Sequence, residues 1–193
     1  MVGNIRSPDI VPMPTPIRLL ILLLIALTGC VHRIQVNPLP TGPTSMTIPR
    51  SLQLAVGPLL LEGADHRPGI TLLEWPHSDL SQALIRYVQQ RNTFSSVSTN
   101  PAELTLRMTT KLALTSRDHY HYRIRLQAEM SETAQLIKAY LVEHVAAGSS
   151  VRWVTASDRD PIEAALQLAL DDLLAQIEAD RSLYVPGQGR PTK

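Results

Sequence analysis

Two runs of strict alternation constrain this chain more than any other feature. Even positions from 104 to 114 read Leu, Leu, Met, Thr, Leu, Leu, while odd positions from 103 to 113 read Glu, Thr, Arg, Thr, Lys, Ala. Even positions from 120 to 130 read Tyr, Tyr, Ile, Leu, Ala, Met, against His, His, Arg, Arg, Gln, Glu at the odd positions from 119 to 129. Successive strand side chains point to opposite faces, so this period predicts two strands, each with one dry and one wet face. Thr115-Ser116-Arg117-Asp118 supplies turn chemistry between them, which predicts an antiparallel hairpin with Lys111 nearly opposite Arg123.

The rest of the chain is read against that hairpin. Leu52, Leu54 and Val56 alternate with polar or small neighbours as a first strand, broken at Gly57-Pro58, and Leu59-Leu60-Leu61 continues it beyond a bulge. Gly63 to His77 carries loop signals. Ser78 or Asp79 is placed to cap a helix whose stripe is Leu80, Ala83, Leu84, Tyr87 and Val88, ending near Arg91-Asn92. Residues 134–146 fit a helical stripe as well as a strand; their wealth of β-formers and their place after a hairpin favour a third meander strand. Val151–Val154 adds a further short strand. Asp160 as N-cap, Pro161 at N1 and Glu163 at N3 open a last helix with the stripe Ile162, Leu166, Ala169, Leu170, Leu173, Leu174 and Ile177. The expectation is an α+β fold, β-α-β-β-β-α, with an antiparallel sheet of about four strands and two helices packed on one face.

The amino terminus reads as a sorting signal. Ile17–Leu27 (IRLLILLLIAL) is apolar but for Arg18 at its start; as helix it reaches roughly 16 Å, about half of a bilayer's hydrocarbon core. A short apolar run behind basic residues and before small ones has the layout of a secretory signal peptide, for which either Met1 or Met13 serves as start. Removing residues 1–29 takes away Arg6, Arg18 and Asp9, so the 18 basic and 17 acidic side chains fall to parity. Near-neutral charge excludes a dedicated nucleic-acid binder, and one cysteine excludes a disulfide framework or a Cys-rich zinc module. The division expected is a signal peptide over 1–29, a Pro-rich tether over 30–50, a domain over 51–184 and a loose tail over 185–193. The tether, with Pro38, Pro40, Pro43 and Pro49, would reach on the order of 50 Å if extended.

Leu27-Thr28-Gly29-Cys30 resembles the bacterial lipobox. That resemblance implies cleavage between Gly29 and Cys30, with the sulfur of Cys30 receiving a diacylglycerol and its new amine an acyl chain. Val31 follows the cysteine in place of the Asp that favours inner-membrane retention, which implies the outer membrane with the domain facing the periplasm. With the Tyr122–Met130 strand, Lys138-Ala139-Tyr140 and Asp160–Leu183, the chain is similar to small Gram-negative outer-membrane lipoproteins of the YajG type. The LPS-assembly lipoprotein and the ABC-transport auxiliary lipoproteins are more distant analogues. The resemblance implies a non-enzymatic envelope protein without cofactors.

Several constellations could carry chemistry. His119 and His121 share a strand face, and His144 or Glu129 could complete a metal site, which needs three or four ligands; the plainer reading is solvent-facing polar residues, and no metal is expected. Arg107, Lys111, Arg123 and Arg125 share the wet face of the hairpin, and like charges so placed suit a phosphate of LPS or a phospholipid. Asp158 and Asp160 fit helix capping, and Asp171 and Asp172 a polar helix face. No nucleophile-elbow, zincin or P-loop pattern occurs, so an enzyme is not expected. The leading expectation is a lipid-anchored periplasmic accessory or scaffold that contacts an envelope protein; the alternative is a lipid- or LPS-binding component of a transport or assembly pathway.

Overall fold

The structure, a computed structural model, describes residues 31–44, 46–63, 72–116, 119–148 and 156–185. The signal segment, Cys30, Val151–Val154 and residues 186–193 lie outside the described residues. The elements are β1 (Val31–Arg33), β2 (Ile48–Val56), β3 (Leu60–Gly63), β4 (Leu72–Glu74), α1 (His77–Arg91), β5 (Phe94–Ser98), β6 (Leu104–Ser116), β7 (Tyr120–Glu132), β8 (Gln135–Ala147), α2 (Ala156–Ala179) and a 3-10 turn at Arg181–Leu183.

Among the described residues the class is α+β with two helices, but the sheet corrects the antiparallel, four-stranded expectation. It is mixed and has six strands in the order β5-β2-β6-β7-β8, with β3 also paired to β6. β2 runs parallel to both β5 and β6. The cause is the crossover through α1, which returns the chain in the direction it left, as strand-helix-strand units do. The chain then passes from β5 to the other side of β2, where Gln53 receives from Thr105 Oγ1 at 3.2 Å and donates to the Thr99 carbonyl at 3.1 Å. β3 extends the line of β2 along β6 past Gly57-Pro58, as its leucines predict. Its last residue, Gly63, has φ +137°, and a Cβ there would meet the Leu114 carbonyl oxygen at 2.3 Å. Gly63→Ala should therefore melt the end of β3, seen as lost hydrogen-exchange protection at Leu60–Glu62, with a cost of about 1–3 kcal/mol.

β6 and β7 form the expected hairpin and β8 completes a meander, so residues 135–147 are a strand. The stripes of both helices are buried as read. Both helix starts differ from expectation. α1 begins at His77 behind Pro76, without a side-chain cap, and His77 Nε2 donates to the Val56 carbonyl at 2.8 Å instead. α2 begins at Ala156, four residues before the expected cap, with Pro161 inside it. Asp158 is thereby buried and bonded to the Tyr122 hydroxyl.

The supposed tether is largely docked. Val31–Arg33 pairs with Leu72–Glu74, and Ile34, Val36 and Ile48 are buried in the core. Asn37 N donates to Glu163 Oε2, Thr41 Oγ1 to Asp171 Oδ2, and Thr44 N to the Arg91 carbonyl, at 3.0, 2.6 and 2.8 Å. Residues 34–44 form a strap across the helices, with Ile34, Val36 and Pro38 buried at alternate positions.

The β7–β8 turn holds two non-glycine residues at positive φ, Thr133 at 48° and Ala134 at 66°. That is the geometry of a type I′ turn, which favours Asn-Gly and penalises a β-branched residue. Replacing Thr133 by Asn and Ala134 by Gly should stabilise the domain by about 1–2 kcal/mol, read as a higher thermal midpoint.

Candidate functional site

Both helices cover the inner face of the sheet, so the chemistry left to solvent lies on the outer face and at the β8 edge. On β6 and β7 the outward residues are the odd-numbered ones. In register, Arg107 faces Glu129, Thr109 faces Gln127, Lys111 faces Arg125, Ala113 faces Arg123 and Thr115 faces His121. Lys111 therefore opposes Arg125, two residues from the expected Arg123. The pairing is centred one residue later than Lys111 opposite Arg123 would require, since Ser116 still pairs with Tyr120.

Each of three of these cations has a carboxylate beside it. Lys111 Nζ lies 2.5 Å from Glu62, Arg125 Nη2 2.6 Å from Glu143, and Arg123 Nη1 3.4 Å from the same carboxylate. Arg107 stands at the far end of the strip, across from Glu129. The structure thus gathers Lys111, Arg123 and Arg125 into one partly neutralised cluster and holds Arg107 apart from it.

β8 supplies the apolar half of the surface. Its outward residues are Ala139, Leu141, Glu143, Val145 and Ala147, all exposed, with Leu141 at 59% and Val145 at 45%. Among the described residues no strand pairs with its far side. An uncovered edge of this kind presents a row of main-chain donors and acceptors. No sequence signal for a site marked it, because its outward residues carry no motif; alternation of Tyr140 and Val142 with Leu141 and Glu143 was the available cue.

The histidines do not converge. His121 points outward, whereas His144 lies on the helix-facing side, its Nε2 donating to Asp172 Oδ2 at 3.2 Å. Among the described residues no group of three His, Cys, Asp or Glu is arranged to hold a metal ion. Beneath β8, the Tyr140 hydroxyl donates to Asp180 Oδ2 at 3.1 Å and bonds Tyr184, while Lys138 Nζ sits 2.5 Å from the same Asp180 carboxylate. Burial pushes the Tyr184 hydroxyl up to about 12 and raises Tyr140 further, so both stay protonated and fix the end of α2 to the strand. Just before β6, Glu103 accepts from Ser51 N and Oγ of β2 at 2.8 and 3.0 Å, which lowers its pKa below 4.5. A depressed carboxylate stabilises the fold above its unfolded pKa, and that contribution is lost as pH falls through the folded value. Glu103→Gln should thus flatten the loss of stability on acidification below pH 4.5, measured by urea unfolding across that range.

Comparison with known proteins shows the fold alone. The chain resembles the crystal structure of protein XCC0632 from Xanthomonas campestris, described under the family DUF330, with TM-score 0.51 and 14% identity over 77% of this chain and 95% of that one. A weaker likeness, TM-score 0.47 and 12% identity, covers 68% of this chain and 98% of the hypothetical protein CT253 from Chlamydia trachomatis. The minor lipoprotein from Acinetobacter baumannii matches at TM-score 0.37 and 14% identity, over 67% of this chain and 90% of that one. No family model matches the sequence, and neither does any curated protein.

Proposed function

We propose that this chain is a lipid-anchored protein of the Gram-negative envelope, held through Cys30 to the outer membrane with its domain in the periplasm. It acts there without catalysis, as an accessory or scaffold that docks another envelope protein. The carrying observation is the open β8 edge with its exposed apolar row beside the charged outer face. No described helix is long and apolar enough to cross a membrane, which fits attachment by lipid. A docked strand would take main-chain hydrogen bonds from the edge and seat its side chains against Leu141 and Val145.

The test is site-specific photo-crosslinking in cells. A crosslinker at Arg123, on the outer face, should capture a discrete envelope protein, whereas one at Leu168, on the exposed side of α2, should not. Identical diffuse products from both positions would overturn the docking role.

The facing pair Lys111 and Arg125, with Arg123 beside them, favours one second reading, an anionic lipid or LPS phosphate as ligand. It predicts binding to anionic lipid vesicles that weakens with salt and is abolished by Arg123→Glu with Arg125→Glu. Unaltered vesicle binding by that double variant would sink it. Glu62 and Glu143 already offset these cations, which is why protein docking ranks first.

A further inference from the structure

We infer that β8 pairs antiparallel with β8 of a second copy of this chain, about a two-fold axis at Val142, so that two sheets become one. The inference rests on the docking role proposed above: it gives the edge to a second copy and leaves the adjoining outer face, where Arg123 lies, to the envelope partner.

The two ends of the sheet are finished differently. β5 is five residues long, and its Val97 carbonyl already accepts from Gln89 Nε2 at 2.9 Å. A short edge with main-chain groups already engaged resists pairing with another chain. β8 runs 13 residues, and among the described residues no side chain bonds its main chain. It contains no proline, and its one lysine, Lys138, is held by Asp180 at the end next to the bulge. Beyond that bulge, residues 138–147 keep an unbroken register with β7, a long regular template.

Symmetry and charge then narrow the register, and the length of the regular run favours Val142, whose axis keeps residues 138–146 in the contact where one at Leu141 keeps only 138–144. In a two-fold contact the same strand serves both sides, so residue pairs are fixed once the axis is placed. An axis at Glu143 would set two carboxylates directly opposite, which is destabilising. An axis at Val142 sets Ala139 against Val145, Leu141 against Glu143, Tyr140 against His144 and Lys138 against Ala146. No like charges then face each other. Glu143 enters the contact already paired with Arg123 and Arg125, leaving its aliphatic stem for Leu141. Both large exposed apolar residues of the regular run, Leu141 and Val145, gain a neighbour. Lipid anchoring of both copies in one membrane plane would further raise their effective concentration.

The full-length lipidated chain, in non-ionic detergent and at micromolar concentration, should sediment with a protein mass of two chains. Leu141→Lys with Val145→Lys should reduce this to one chain without altering the far-UV circular dichroism, while Leu168→Lys keeps two. Oxidising Leu141→Cys with Glu143→Cys should trap a covalent dimer, because the proposed axis brings these two positions together. A one-chain mass for the unmodified protein, or a dimer that survives both lysines, would overturn the self-pairing. A one-chain protein that still crosslinks a discrete envelope protein from position 123 overturns self-pairing alone; loss of that crosslink as well overturns the docking role too.

Discussion

Arg91→Met should cost the domain about 3–5 kcal/mol, the usual penalty for removing one partner from a buried ion pair. Arg91 closes α1 and reaches across to α2, where Nη1 donates to Asp171 Oδ1 at 2.6 Å and Nε and Nη2 hold both oxygens of Glu178 at 2.9 and 3.1 Å. Its side chain is 13% exposed, and those of Asp171 and Glu178 are 19% and 15% exposed. Thr93 Oγ1 also donates to Glu178, and Thr41 Oγ1 to Asp171, so the same carboxylates fix the start of β5 and the N-terminal strap. With the guanidinium gone, two carboxylates remain in a nearly dry junction, with the buried Tyr87 beside Asp171.

Domains of this kind are stable by about 5–15 kcal/mol, so the variant should lose a large part of its folded population at 37 °C. Thermal unfolding followed by circular dichroism should show a midpoint lower by about 10 °C or more. Arg125→Met removes a cation from an equally short ion pair that is exposed, and it should cost under about 1 kcal/mol. Substituting Leu at Asp171 and Met at Glu178 together with Arg91→Met should recover much of the loss, since hydrophobic replacement of a whole buried cluster is often neutral. Equal midpoints for Arg91→Met and Arg125→Met would show that the junction is not where α1 and α2 are locked.

Much of this fold is legible in the residues, and its failures have physical causes. Alternation carries β6, β7 and β8 because each has one face against the helices and one in water. The stripes of α1 and α2 are legible for the same reason. Strand neighbours are another matter: nothing in Leu52, Leu54 and Val56 says that they lie between β5 and β6, and β5, with three serines in five residues, hardly reads as a strand. A sheet whose parallel half rests on a five-residue strand therefore looks antiparallel from sequence. Pro161 and Glu163 resemble a helix start, yet burial of Asp158 against Tyr122 carries the helix a turn further back. The strap was hidden by its prolines, although Ile34, Val36 and Ile48 are the apolar positions that a free tether would not need. For the outer surface, parity alone places Arg107, Lys111, Arg123 and Arg125 on one side. Which of them face each other depends on the centre of a turn, and a shift of one residue there moved Lys111 from Arg123 to Arg125.

Cys30→Ala should abolish incorporation of a fatty-acid analogue and release the domain from outer-membrane fractions, an all-or-none change. Under the proposed anchoring, the sulfur carries two acyl chains and the amine a third; one chain alone gives only reversible attachment, whereas two hold a protein stably. The variant keeps an uncut leader, whose apolar run reaches roughly 16 Å and cannot span a bilayer core of about 30 Å. Labelling of the unmodified chain with an alkyne fatty acid, beside the variant, is the decisive comparison; an unlabelled parent or a labelled variant would refute the anchor. The docked strap adds a geometric consequence. Ile34 is already buried, so only Val31–Arg33 separate it from Cys30, a reach of at most about 14 Å even when fully extended. The domain would then lie against the membrane surface rather than at the end of a long tether. Inserting a flexible Gly-Ser stretch between Cys30 and Val31 should leave labelling intact while lengthening the distance between a fluorophore on the domain and one in the bilayer.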